Sequence, residues 1–109
     1  MGTKRKRSTE INSEVRKIVK ERDSFGYPPH PCCILCGSPL MLQIHHFIPR
    51  SLSGLGIPEN LVTLCLPCHD RADHGKPQDR RDIERLIKEY LQGKYPDFDE
   101  AKLVYKREF

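Results

Sequence analysis

Apolar residues recur along this chain at two periods, and each period predicts an element. Ile11, Val15, Ile18 and Val19 fall at three- and four-residue spacing, which predicts a helix over residues 9–23 with one apolar face. Ser8 or Thr9 can cap its first turn. The prolines of GYPPHP (26–31) end it, because proline cannot continue the backbone ladder. CCILCGSP (32–39) reads as a tight turn. LMLQIHHF (40–47) and NLVTL (60–64) are apolar and short enough for strands, and the Gly-, Pro- and Ser-rich IPRSLSGLGIPE (48–59) is the loop between them. LPCHDRAD (66–73) opens a short helix that tolerates Pro67 in its first turn. DRRDIERLIKEYLQG (79–93) carries the strongest helical pattern: Ile83, Leu86, Ile87, Tyr90 and Leu91 share a face, and Gly93 stands where helices commonly stop. The tail after Gly93 adds a short helix or an edge strand.

The length of 109 residues fits one domain. A chain of this size buries only roughly 60–65% of its unfolded surface, so a covalent or metal staple would help its thin core. No apolar run approaches the ~20 residues needed to cross a bilayer. The basic start, MGTKRKRSTE, has no apolar stretch behind it and is not a secretory signal. The expected location is therefore cytoplasmic, where cysteines serve as metal ligands or catalysts more often than as disulfides.

The net charge of +4 favours a polyanionic partner only weakly. Its distribution says more. Lys4, Arg5, Lys6 and Arg7 form a run within an expected disordered arm, residues 1–8, ahead of a single domain over 9–109. Arg16, Lys17, Lys20 and Arg22 follow on the first helix, and Arg50, Arg71, Lys76, Arg80 and Arg81 come later. Any one of these is an ordinary solvated charge. Together the clusters point to a phosphate-bearing ligand. Lys4, Arg5, Lys6, Arg7, Arg50, Arg71 and Lys76 are the candidate nucleic-acid contacts.

The cysteines sharpen the picture. Cys33 and Cys36 form one Cys-x-x-Cys pair, and Cys65 and Cys68 form another. Each such turn aims two sulfurs at one point, and two turns supply the four thiolates of a tetrahedral structural zinc site. The gap between the pairs accommodates a hairpin, and Gly37 suits the first turn. A thioredoxin-like redox pair would need a βαβ setting, which is missing here. Four protein ligands leave that zinc no open position, so it is a staple and not a catalyst. Cys32 is left over, either as a small buried residue or as a loose thiol.

The clamp brackets two adjacent histidines, His45 and His46, and plants a third, His69, directly after Cys68. A strand–loop–strand–helix that gathers imidazoles is a natural cradle for a divalent ion. Knuckle, HHFIP (45–49), glycine-containing loop, NLVTLC (60–65) and CH (68–69) follow one another in an order that resembles the HNH endonucleases, from Cys33 to about His74. The resemblance implies an α+β fold: a small ββα-metal core, made of a short antiparallel hairpin plus a helix, stapled by the four cysteines. N- and C-terminal helices flank this core. It implies His45 as first metal ligand, His46 as general base, Asn60 as the middle asparagine that orients His46, and His69 as second metal ligand. His74 is a candidate third ligand or phosphate contact. Many relatives carry Asp at the first ligand and Asn at the last; here both are His.

These residue types suit phosphodiester hydrolysis. An imidazole can take a proton from water at neutral pH, and a divalent ion can neutralise charge on the phosphate and the leaving oxygen. The implied activity is a metal-dependent DNA endonuclease of low sequence specificity, gripping DNA mainly through phosphates. The implied cofactors are structural Zn²⁺ and a catalytic Mn²⁺, Ni²⁺, Co²⁺ or Mg²⁺, since imidazole favours the transition metals. Small free-standing proteins of this kind resemble those of phage packaging or restriction machinery, which would be the protein partners. No membrane partner is expected. The alternative is a non-catalytic zinc-knuckle module that binds nucleic acid. Neighbouring residues of a regular strand face opposite sides, so the strand is expected to distort or end at His45–His46 if both serve one site.

Overall fold

The computed structural model describes residues 8–105. The basic run Lys4, Arg5, Lys6 and Arg7 lies outside the described residues. The elements follow the chain as α1 (Ser13–Arg22), β1 (Ser24–Phe25), β2 (His30–Pro31), β3 (Leu42–His46), β4 (Leu61–Cys65), α2 (Leu66–His74) and α3 (Pro77–Lys94). Single 3-10 turns cover Arg50–Leu52, Pro58–Asn60 and Glu100–Leu103. This is the expected α+β arrangement, a hairpin and helix flanked by helices on both sides. Among the described residues no helix is long and apolar enough to cross a membrane.

β3 and β4 pair antiparallel, with Leu42 opposite Cys65, Ile44 opposite Thr63 and His46 opposite Leu61. All five residues of β4 are buried, as a strand covered on both faces must be. The core gathers Val62, Leu64 and Cys65 of β4 with Phe47, Cys33, Cys68, Leu103 and the α3 residues Ile83, Ile87 and Leu91. Three of the four knuckle cysteines, Cys33, Cys65 and Cys68, are thus part of the apolar core, while Cys36 is exposed.

A buried ion pair ties both flanking helices to this hairpin. Asp23, fully buried just after α1, accepts from Arg22 Nε at 2.7 Å and Nη2 at 3.0 Å. It also accepts from the Thr63 amide at 2.9 Å and the Tyr90 hydroxyl at 2.5 Å. Arg22 in turn donates to the carbonyls of Pro58 and Leu61 at 2.8 and 2.6 Å, which flank Asn60. Every polar valence of the pair that faces inward is therefore used, which is the condition for tolerating a buried charge.

Several sequence expectations are corrected in detail. The first helix starts at Ser13 and not at residue 9, because Asn12 caps it: its Oδ1 accepts from the Val15 amide at 2.8 Å. Residues 8–11 instead run as a segment against the loop. Ile18 and Leu86, assigned to buried faces, are 44% and 45% exposed; each lies at the edge of its stripe, where the neighbouring element no longer reaches. α3 passes through Gly93 and ends at Lys94, and a Cβ at Gly93 would meet nothing, so this glycine makes no cap. GYPPHP also contributes to a minimal hairpin, since β1 precedes it and its last two residues are β2. The tail makes a 3-10 turn, and Val104 then bridges Gly54 in antiparallel fashion.

Candidate metal centre and hydrolytic site

The two Cys-x-x-Cys turns converge. Donor atoms of Cys33, Cys36, Cys65 and Cys68 all lie within 4.8 Å of one another, and Cys36 Sγ stands 3.5 Å from Cys65 Sγ. Sulfurs at the corners of a zinc tetrahedron lie ~3.8 Å apart, given a Zn–S bond of ~2.3 Å, so the donor set fits the ion. The first knuckle closes through the Gly37 amide on the Cys33 carbonyl at 2.9 Å and the Cys33 amide on the Ser38 carbonyl at 2.8 Å. Gly37 has φ +82°, the left-handed conformation that glycine adopts at no steric cost. The Leu35 amide donates to Cys33 Sγ at 3.4 Å.

The thiols are electrostatically uneven. Burial pushes Cys33 up, but amide donors from Cys65, Cys36 and Leu35 outweigh it and bring it down to about 7. Burial and the neighbouring sulfurs push Cys68 far up, and burial raises Cys65. Four sulfurs this close cannot all ionise without a cation between them, and four thiolates are what structural zinc binds. Cys32 takes no part: it is buried, and its Sγ donates to the His30 carbonyl at 3.3 Å.

The second cluster lies between β3 and α2. His45 projects from the strand, and His69 sits in the first turns of the helix that Cys65 and Cys68 anchor. Their rings meet edge to face with centroids 5.0 Å apart. Asp73, one helical turn beyond His69, completes the group: its Oδ2 lies 3.3 Å from His69 Nδ1 and its Oδ1 4.0 Å from His45 Nδ1. One donor atom from each of the three lies within 4.8 Å of the others. Ligands ~2.1 Å from an ion sit ~3 Å apart in cis positions, so small side-chain movements bring the three onto one divalent cation. Two imidazoles and a carboxylate suit Mn²⁺, Fe²⁺, Co²⁺, Ni²⁺ or Zn²⁺. Burial, then the His69 charge, push His45 down to about 4, against the opposing pull of Asp73. His45 is therefore neutral at physiological pH, the state a metal ligand needs.

His46 is not a member of this group. β3 ends at this residue, and its Nε2 lies 2.9 Å from the carbonyl oxygen of Thr9. Burial holds it below the ordinary histidine range, and the Arg50 charge adds to that, while the Thr9 bond opposes. Asn60 is fully buried. Its Oδ1 accepts from the Ile48 amide at 2.8 Å, and its Nδ2 donates to the carbonyls of Ile48 and Leu55 at 3.1 and 2.9 Å. The Phe47 amide donates to the Asn60 carbonyl at 2.8 Å. Asn60 thus fixes the chain on the C-terminal side of His46, and Arg22 fixes the carbonyls on either side of Asn60.

The structure brings together His45 and His69 and adds Asp73, which is not among the residues expected from the sequence. His74 is exposed at the end of α2, outside the cluster. Its position five residues beyond His69 puts it ~140° around a helix at 100° per residue, whereas Asp73 at four residues shares the His69 face. The i, i+4 spacing to His69 was the signal for Asp73. Arg50, Arg71 and Lys76 are exposed, Arg50 close enough to His46 to influence its charge.

Residues 33–81 match the family model described as HNH endonuclease. No curated protein matches the chain. One solved structure, that of the Type IV phosphorothioation-dependent restriction endonuclease ScoMcrA, is similar at 25% identity and a TM-score of 0.42. The similarity covers 72% of this chain and 14% of that protein.

Proposed function

With the match of residues 33–81 to the HNH endonuclease family model as the premise, we propose that this chain is a metal-dependent DNA endonuclease in which His46 is the general base. The observation that carries the reading is the convergence of His45, His69 and Asp73 on one point beside the strand end that presents His46. A non-catalytic zinc knuckle would need the four cysteines but leaves this second cluster without a role.

In this reading His46 takes a proton from a water molecule. The water oxygen bonds to the scissile phosphorus, and the phosphorus–O3′ bond breaks. The departing 3′ oxygen takes up a proton from solvent. A divalent ion held by His45, His69 and Asp73 would supply Lewis-acid neutralisation of the phosphate and the leaving oxygen. Asn60 keeps the chain after His46 in place through Ile48. The exposed Arg50, Arg71 and Lys76 contact phosphates, which gives affinity with little sequence preference. A zinc ion on Cys33, Cys36, Cys65 and Cys68 would hold the start of α2, and through it His69, against β3.

The test is conversion of supercoiled plasmid to nicked or linear forms by the purified chain, with Mn²⁺, Ni²⁺, Co²⁺ or Mg²⁺ and with EDTA. Cleavage that requires a divalent ion and stops with EDTA is expected. Intact plasmid under every ion, with DNA still bound, favours the non-catalytic module.

A further inference from the structure

The segment ahead of α1 lies outside residues 33–81, yet it touches the group read as the general base. His46 Nε2 and the Thr9 carbonyl are 2.9 Å apart, across 37 residues of sequence. A carbonyl oxygen can only accept, so the hydrogen of this bond sits on Nε2. A neutral imidazole has one N–H, so the lone pair is left on Nδ1. The bond also fixes the plane of the ring.

The segment is seated tightly enough to impose that choice. The Gly56 amide donates to the Ser8 carbonyl at 2.9 Å, and the Glu10 amide folds back onto Ser8 Oγ at 2.9 Å. Gly56 lies directly under it: a Cβ there would stand 2.1 Å from the Glu10 carbonyl oxygen and 2.6 Å from its carbon. Asn12 then caps α1, whose end is locked to β4 by the Arg22–Asp23 pair. Both ends of the segment are thus anchored, one to the loop after β3 and one to a helix tied to β4.

We propose that residues 8–11 form a strap that completes the hydrolytic site, with the Thr9 carbonyl as the positioning group that holds His46 in the Nε2–H tautomer and presents Nδ1 to water. The inference rests on the reading of His46 as base. It makes the N-terminal segment part of the working site, although the family match does not reach it. Gly56 is the residue through which it can be probed, since the atoms crowding its side-chain position belong to the strap.

The experiment uses the full chain and two readouts. In the parent protein, two-bond ¹⁵N–¹H correlations of the His46 ring at mildly alkaline pH are expected to show a protonated Nε2 and an unprotonated Nδ1. A parent ring protonated on Nδ1 overturns the proposal, and this measurement needs no variant and no cleavage. In Gly56→Ala, a mixed tautomer signature is expected. The kcat should fall at least ~10-fold, part of the loss of ~10⁴ seen when a catalytic imidazole is left in the wrong tautomer. Zinc content and KM for DNA should stay near parental values. A Gly56→Ala protein that folds and cuts at the parental rate overturns the proposal. One that cuts faster does so too, since the strap would then be a shield over His46. If the parent itself does not cut, the nuclease reading fails, while the tautomer still decides whether Thr9 positions the ring.

Discussion

His45 and His69 meet edge to face, their ring centroids 5.0 Å apart at an interplanar angle of 89°. One comes from a strand and the other from a helix that begins at the second cysteine knuckle. Cys65 ends β4 and caps α2, Cys68 lies one residue before His69, and both sulfurs face Cys33 and Cys36. The four-cysteine group and the His45–His69–Asp73 group are therefore joined through α2, and they differ in donor type: sulfur in the first, nitrogen and oxygen in the second.

The first consequence concerns zinc. One tightly held Zn²⁺ per folded chain is expected on Cys33, Cys36, Cys65 and Cys68, by elemental analysis after exhaustive dialysis. Cys68→Ser should unfold the domain at ambient temperature, because structural zinc contributes ~10–16 kcal/mol in small metal-dependent domains and Cys68, with Cys33 and Cys65, lies in the main apolar core. Folded, zinc-free protein would contradict the assignment.

The second concerns Asp73. Asp73→Asn keeps the shape but removes a charged oxygen ligand, and should raise the metal concentration for half-maximal cleavage by on the order of 10–100-fold. Excess ion should largely restore the rate. His74→Ala should leave the metal requirement within about two-fold, since its side chain lies off the cluster. Mn²⁺, Ni²⁺ or Co²⁺ should serve at least as well as Mg²⁺, because two of the three donors are imidazoles. Metal titrations of the three proteins on supercoiled plasmid decide this. An unaltered requirement in Asp73→Asn removes it from the ligand set.

The site was only partly legible in the sequence, for reasons that differ by residue. The cysteine pairs, the two strands and α3 are local patterns, and local patterns survive folding. Asp73 was passed over because an acid on a helix is ordinary until a partner from another element faces it. His74 drew attention by residue type, although five residues from His69 is the wrong side of a helix. The Thr9 contact left no trace, because it is made by a backbone carbonyl that every residue possesses. The Arg22–Asp23 pair was equally hidden: two adjacent opposite charges read as surface until β4 and Tyr90 close over them. Ile18 and Leu86 show the converse limit, since periodicity gives a face but not how far the neighbouring element extends across it.

That buried pair carries the third prediction. Asp23→Ala leaves Arg22 charged and part-buried and strips acceptors from the Thr63 amide and the Tyr90 hydroxyl. Breaking a buried pair from one side costs about 3–5 kcal/mol. Denaturant unfolding of zinc-loaded protein should show a loss of that order. A change below about 1 kcal/mol would mean that solvent reaches the pair.

The pH dependence follows from His46. Its folded value is held below the ordinary 6.5, first by burial and then by Arg50. A general base works deprotonated, so kcat/KM should rise with pH through the free-protein value and level off above it. The acid limb is expected below pH 6.5, with the plateau already reached at neutral pH. A limb centred well above 6.5 would point to another base.

The most direct measurement of the central claim is single-turnover cleavage of plasmid by the parent and by His46→Ala, both zinc-loaded and saturated with Mn²⁺. The parent should cut and EDTA should stop it. His46→Ala should bind DNA and zinc like the parent but cut ~10²–10⁴-fold more slowly, the usual contribution of a general base. Cutting by His46→Ala within a few-fold of the parent would contradict the assignment of the base, and no cutting by the parent would contradict the enzyme.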